Sequence, residues 1–169
     1  MTEPRWDVAD FDSASAEAAA DLLRPVCASR RWLETVVTAR PYRTLAAVDE
    51  ASDAAVAHLG WADVLEALAA HPRIGERAAG QVREAHWARE EQSTATGASL
   101  EVSTALHDAN VAYEKRFGHV FLICATGRTP LHILEDLTER LDNDEVTERD
   151  VVRRELSAVV RLRLARCLR

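Results

Sequence analysis

Apolar residues recur at three- and four-residue steps along most of the chain, as the buried faces of amphipathic helices require. No alternating two-residue pattern persists long enough to propose a sheet. The sequence therefore predicts an all-α fold. The predicted helices cover residues 15–27, 30–39, 44–58, 62–70, 83–95, 99–117, 131–141 and 147–168.

Proline and glycine residues separate these helical patterns and mark their ends. The run Val120–Ala125 is the exception to the helical pattern, because its branched and aromatic residues are typical of a strand. Nothing obvious pairs with it, so we expect a buried irregular or helical segment. The separating residues are Pro25, Pro41, Pro72, Pro130, Gly97 and Gly118.

Length and composition are typical of one soluble globular domain. With 169 residues, 47% hydrophobic and 29% charged, we expect a single compact multi-helix domain over 1–169, of which 1–12 is a terminal extension. The net charge of −7 argues against binding along a phosphate backbone, so no nucleic-acid partner is expected. Neither a secretory signal nor an apolar membrane span is apparent, which predicts a cytoplasmic protein without a membrane partner.

The three cysteines do not form a disulfide framework. Cys27, Cys124 and Cys167 are odd in number and widely spaced, and none belongs to a Cys-x-x-Cys pair. We expect reduced and mostly buried thiols. Cys124 lies in the apolar run 120–125, where core packing is a better explanation than catalysis.

The run from His71 to Glu76 concentrates groups that can handle protons. Because proline disfavours helical geometry in the residue before it, Pro72 predicts that His71 lies where a helix stops. Histidine exchanges protons near neutral pH, and a carboxylate such as Glu91 can orient the ring or hold substrate N–H groups. In the alternative interpretation His71 caps a helix end and Glu91-Gln92 lies on a solvated face. From these residues alone the alternative is the commoner outcome.

Arg163 is a second candidate, on the last predicted helix. Lying between Leu162 and Leu164, it is expected to lean partly inward and to offer a bidentate fork to an anion. The same helix is expected to direct an apolar face to the core, formed by Val152, Leu156, Val159, Val160 and Leu164.

Two other classes of function compete with a cofactor-free enzyme. His86 and Glu90 are four residues apart and suggest a metal-dependent enzyme, but two ligands are insufficient and no paired Glu-x-x-His motif is present. No metal is therefore expected. A non-enzymatic helical ligand-binding or adaptor module is the second alternative, favoured by the amphipathic helices.

Five ordered elements together resemble the OHCU decarboxylase family, whose substrate is 2-oxo-4-hydroxy-4-carboxy-5-ureidoimidazoline (OHCU). The resemblance runs from about Ser13 to the carboxy terminus and includes an Arg-Pro-aromatic element at residues 40–42. The five elements are His71-Pro72, Glu91-Gln92, Asn110-x-x-Tyr113-x-x-x-Phe117-Gly118, FLICATGR at 121–128, and Leu162-Arg163-Leu164.

The resemblance implies a fold of the OHCU decarboxylase type, without cofactor or metal and commonly a homodimer, that converts OHCU to (S)-allantoin in urate breakdown. It places His71 and Glu91 in catalytic positions. Two departures affect substrate contacts: Ala88 stands where many relatives have serine, and His119 where they have an aromatic residue. The implied substrate-binding residues are Pro72, Ala88, Arg89, Glu90, Glu91, Gln92, Phe121, Leu122, Ile123, Cys124, Ala125 and Arg163.

Overall fold

The structure is a computed structural model that describes residues 5–75 and 99–169. Within these ranges the chain is helical, and the only β contact is an isolated bridge between Trp6 and Leu168. The all-α prediction is confirmed, while the helix predicted over 83–95 lies outside the described residues. The helices are α1 (Val8–Ser13), α2 (Ala16–Leu23), α3 (Arg30–Thr38), α4 (Leu45–Ala57), α5 (Trp61–Ala69), α6 (Leu100–Phe117), α7 (Pro130–Arg140) and α8 (Glu145–Cys167).

The chain divides into two compact units. Unit 1 comprises Met1–Ala67 and Ser157–Arg169, and unit 2 comprises Leu68–Leu156. The single domain over 1–169 stays a prediction. In the described ranges, no helix is both long and apolar enough to cross a membrane.

Hydroxyl side chains begin three helices of unit 1. Ser15, Ser29 and Thr44 each accept a hydrogen bond from the backbone N–H three residues ahead, which satisfies a donor that the first helical turn leaves open. α3 then buries Trp32 completely, and its indole N–H donates to Ser52 Oγ of α4 at 3.2 Å. Capping and aromatic burial thus fix the start and the packing face of α3.

The amino-terminal part of unit 1 differs from the sequence expectation. α1 was not predicted, because a six-residue helix with only two buried residues, Val8 and Phe11, shows no clear periodicity. α2 ends at Leu23, short of the predicted end at residue 27, because Pro25 has no N–H to continue the ladder. The N–H of Val26 instead donates to Leu23 O at 2.9 Å.

Unit 2 is built on the packing of α6 against α7. α6 ends at Gly118, whose φ of 76° lies in the left-handed region that glycine adopts without strain. α7 begins with Pro130 at its first position and Thr129 as its cap, where the missing proline N–H is not needed. The segment 120–125 between them is irregular and largely buried, as expected, and forms no strand.

The apolar core of unit 2 joins four parts of the chain. Ile74 follows α5, four members belong to α6 or α7, and the others come from the segment 120–125. Such a shared core fixes these parts relative to each other, because buried side chains interdigitate closely. Its members are Ile74, Leu106, Tyr113, Phe121, Ile123, Ala125, Ile133 and Leu137.

Candidate active site

His71 lies two residues beyond the end of α5, as Pro72 predicts. Its backbone N–H donates to Leu68 O at 2.9 Å, which closes the last turn of the helix. Pro72 then prevents further helical hydrogen bonding. Both residues are half-buried. A half-buried imidazole at a helix end can face a ligand while the backbone holds its position.

The two residues after Pro72 are anchored to α6. The Arg73 guanidinium donates to both carboxylate oxygens of Glu114, with Nε–Oε1 at 2.6 Å and Nη2–Oε2 at 2.7 Å. The Ile74 side chain is 7% exposed, and its carbonyl accepts a hydrogen bond from Asn110 Nδ2 at 3.1 Å. A bidentate ion pair and a buried amide contact therefore fix the segment next to His71.

Charged side chains hold the segment Phe121–Ala125 in place through hydrogen bonds to its backbone. Arg140 Nη1 donates to Leu122 O at 2.8 Å, and the Cys124 N–H donates to Glu155 Oε2 at 2.7 Å. The Arg140 guanidinium also lies over the Phe121 ring, 4.4 Å from its centroid, which is a favourable cation–π distance. These contacts hold the irregular segment in place, since the described residues provide no neighbouring strand.

A buried polar network supports Arg140. Glu148, 1% exposed, accepts hydrogen bonds from Arg140 Nε at 2.9 Å and Nη2 at 2.6 Å. The same carboxylate accepts from the Tyr113 hydroxyl and from Asn143 Nδ2. Burial, followed by the hydrogen bond to Glu148, raises the pKa of Tyr113 well above its usual range, so the phenol stays protonated. The network is held together by charge and is closed to water.

Some backbone groups of the same segment remain available. Within residues 5–75 and 99–169, neither the N–H nor the carbonyl of Ile123 makes a hydrogen bond, although the residue is only 4% exposed. The N–H groups of Phe121 and Leu122 also make no hydrogen bond within these ranges. Buried backbone groups nearly always have partners, so this segment is suited to binding the amides of a ligand.

The structure brings two of the sequence-predicted elements together in unit 2. Ile74, three residues after His71, shares the core cluster with Phe121, Ile123 and Ala125. Tyr113 of α6 packs edge-on against Phe121, with ring centroids 5.2 Å apart. The histidine and the segment with available backbone groups are therefore parts of one packed body.

Arg163 lies in unit 1 and is 4% exposed, so it points inward as its place between two leucines predicts. It lies near Cys27, whose thiol pKa is raised to about 11 by burial, against the opposing effects of a Ser29 backbone hydrogen bond and the Arg163 charge. Cys167 is also buried and Cys124 is half-buried, and none of the three cysteines forms a disulfide.

The remaining sequence candidates lie outside the described residues. No group of three or more potential metal ligands is found in residues 5–75 and 99–169. The candidates that fall in the undescribed range are Ala88, Arg89, Glu90, Glu91 and Gln92, together with His86 of the metal alternative.

The residues that support the site through side-chain contacts were not predicted from the sequence. The sequence patterns did not single out Glu114, Arg140, Glu148 or Glu155, although Arg140 and Glu148 are buried. Their partners are distant in sequence, for example 41 residues between Arg73 and Glu114, so no local spacing reveals the pairs. The one available signal was the family element that contains Tyr113, whose hydroxyl reaches Glu148.

Comparison with known proteins identifies the family. The chain is 32% identical to an Arabidopsis thaliana protein named "Uric acid degradation bifunctional protein TTL" over 89% of this chain, but spans only 47% of that relative's length. A Haloferax volcanii protein named "2-oxo-4-hydroxy-4-carboxy-5-ureidoimidazoline decarboxylase" is 27% identical, with 79% of each protein covered.

Two solved structures have similar folds. A crystal structure of OHCU decarboxylase in the presence of (S)-allantoin matches 90% of this chain and 96% of that chain, with a TM-score of 0.73 and 31% identity. A crystal structure of (S)-allantoin synthase matches with a TM-score of 0.72 at 18% identity and covers 54% of that chain, which shows a shared fold. The family model for OHCU decarboxylase matches residues 12–165, and the chain belongs to the OHCU decarboxylase family.

Proposed function

We propose that this protein decarboxylates OHCU to (S)-allantoin, the last step of urate breakdown by this route, without a cofactor. The observation that carries the proposal is that unit 2 contains both His71 at a helix end and the buried segment Phe121–Ala125. Backbone groups of that segment are available to a ligand. Family membership and the relatives' names support the same substrate.

The substrate provides its own electron sink. When the bond to the carboxyl carbon breaks, its electron pair stays on the ring carbon and spreads into the adjacent C=N or carbonyl group. Carbon dioxide leaves, and a proton is then delivered to one face. The enzyme therefore needs a positioned proton donor or acceptor, an anion partner and amide contacts.

The chain supplies these groups. His71 handles the proton at the reacting centre, with Glu91 and Gln92 fixing the ureido group and ring amides. Available backbone groups of Phe121–Ala125 contribute further amide contacts, and Arg163 neutralises anionic substrate charge. A positioned acid or base contributes about 10²- to 10⁴-fold, so orientation and charge stabilisation supply the rest.

The assembly and location follow from the same proposal. We place the enzyme in the cytoplasm as a homodimer, on the resemblance to its family. Its partner is the small-molecule substrate, and the acidic net charge of −7 disfavours nucleic acid. Equilibrium sedimentation measures the oligomeric state directly.

The test of the activity uses chirality. OHCU is generated in situ from urate with the two preceding enzymes, and its ultraviolet absorbance and the circular dichroism of allantoin are followed with and without the protein. Because a fixed pocket exposes one face of the intermediate, we expect faster loss of OHCU and predominantly (S)-allantoin. Folded protein that gives the solution rate and racemic allantoin would reject the activity and favour the helical binding module.

A further inference from the structure

α6 holds the chain at two successive residues just after His71. Glu114 binds the Arg73 guanidinium through both carboxylate oxygens, at 2.6 and 2.7 Å. Asn110 donates to the Ile74 carbonyl at 3.1 Å. Asn110 and Glu114 are four residues apart and so lie on one face of α6. We call these two residues the α6 clasp.

His71 is also held on its other side. Its N–H donates to Leu68 O at 2.9 Å, within the final turn of α5. Between this hydrogen bond and the α6 clasp stands only Pro72, whose ring fixes its own φ near about −65°. The backbone of His71 thus has little freedom, which fixes the point and the direction from which its imidazole extends.

The α6 clasp fixes geometry more than it stabilises the fold. The Arg73 and Glu114 side chains are 34% and 24% exposed, so breaking their ion pair leaves neither charge fully buried. A bidentate guanidinium–carboxylate pair is nevertheless specific in direction, because two parallel hydrogen bonds define a plane. Its loss is expected to move the segment after His71 without unfolding unit 2.

We propose that Asn110 and Glu114 are positioning residues for His71, which set the imidazole where proton transfer to the substrate occurs. The inference rests on the proposed function. It gives a role to the Asn110-containing element of α6, which is distant in sequence from His71. Neither residue is given contact with the substrate: Glu114 acts through Arg73, and Asn110 through the carbonyl of Ile74.

The kinetic test compares Glu114→Ala with Glu101→Ala, an exposed glutamate in the first turn of the same helix. Since a displacement of about 1 Å can reduce turnover about 10²-fold, we expect kcat of Glu114→Ala to fall about 10- to 100-fold. KM should stay within about twofold, and Glu114→Gln, which keeps one hydrogen bond, should recover part of kcat. Glu101→Ala should match the wild type. An unchanged kcat, or a higher KM with unchanged kcat, would overturn the assignment.

The second arm removes the other half of the α6 clasp. Asn110→Asp keeps the size of the side chain but replaces the donor to the Ile74 carbonyl with an acceptor. We expect the same selective loss of kcat in protein that retains its helical circular dichroism. Folded Asn110→Asp with wild-type kcat would remove Asn110 from the proposal.

A measurement without substrate separates this inference from the proposed function. The ring resonances of His71 are assigned by their loss in His71→Asn and then compared in the free proteins by NMR. Shifted or broadened His71 resonances in Glu114→Ala, absent in Glu101→Ala, support positioning by α6 even if the wild type does not consume OHCU. Identical His71 resonances in all three proteins would overturn it.

Discussion

Removal of the Glu148 carboxylate tests the buried network that holds Arg140 against the Phe121–Ala125 segment. In Glu148→Ala the Arg140 guanidinium, whose side chain is 9% exposed, loses its ion-pair partner, and the Tyr113 hydroxyl loses its acceptor. Breaking a buried pair from one side costs about 3–5 kcal/mol, and an unsatisfied buried hydroxyl costs about 1–3 kcal/mol.

The two losses overlap, because Oε1 of Glu148 serves both Arg140 and Tyr113. We therefore expect a total of about 3–5 kcal/mol, a large part of the roughly 5–15 kcal/mol that stabilises a typical domain. Urea unfolding followed by far-ultraviolet circular dichroism measures this difference. Replacing both charges, as in Arg140→Met with Glu148→Leu, should cost less than Glu148→Ala, because no buried charge is left uncompensated.

Glu145→Ala is the matched control. Glu145 is also in the first turn of α8 and pairs with Arg149, but their side chains are 70% and 41% exposed. Such a surface pair contributes about 0–1 kcal/mol. If Glu148→Ala loses no more stability than Glu145→Ala, the buried network does not hold unit 2 together and the reasoning is wrong.

Three further outcomes are expected. His71→Asn should keep its helical circular dichroism and lose at least about tenfold in turnover, and wild-type turnover would remove His71 from proton transfer. Arg163→Lys should raise KM, because lysine cannot form the bidentate fork; an unchanged substrate dependence would contradict this. Burial raises the Cys27 pKa from 9.0 to about 11, so stability present below about pH 9 is lost as the pH rises through 11. Between pH 9 and 11, the free energy of unfolding of the wild type, measured in urea, should fall by about 2–3 kcal/mol more than that of Cys27→Ala. Equal decreases in the two proteins would refute the raised pKa.

The helices could be predicted from the sequence because their signals are local. The Phe117-Gly118 pair ends α6 at the predicted residue, and Pro130 begins α7 within one residue of the expected start. The short α1 carries too few buried residues to produce a period, and its Phe11 carbonyl instead accepts a hydrogen bond from Arg40 Nη1 at 2.5 Å. That helix is stabilised by tertiary contacts, which produce no periodic pattern in the sequence.

The site was predictable in part for the same reason. Pro72 marks the helix end next to His71, and the inward lean of Arg163 follows from its apolar neighbours. The supporting pairs were not predictable, because a buried glutamate such as Glu148 looks like any helix-starting acid until its partners are known. Which charged side chains are buried depends on the folded chain, whereas helix ends are determined by residues adjacent in sequence.

The discontinuity of unit 1 has a consequence for synthesis on the ribosome. Its two segments, Met1–Ala67 and Ser157–Arg169, are separated by the whole of unit 2. At about 5–20 residues per second, the ribosome needs several seconds to add the intervening chain. During that interval α2, α3 and α4 lack the carboxy-terminal half of α8, including Cys167, whose carbonyl receives the Trp6 N–H at 2.8 Å. Unit 2 is continuous in sequence and does not wait for a distant segment, whereas unit 1 cannot bring its two segments together until Ser157–Arg169 has been made.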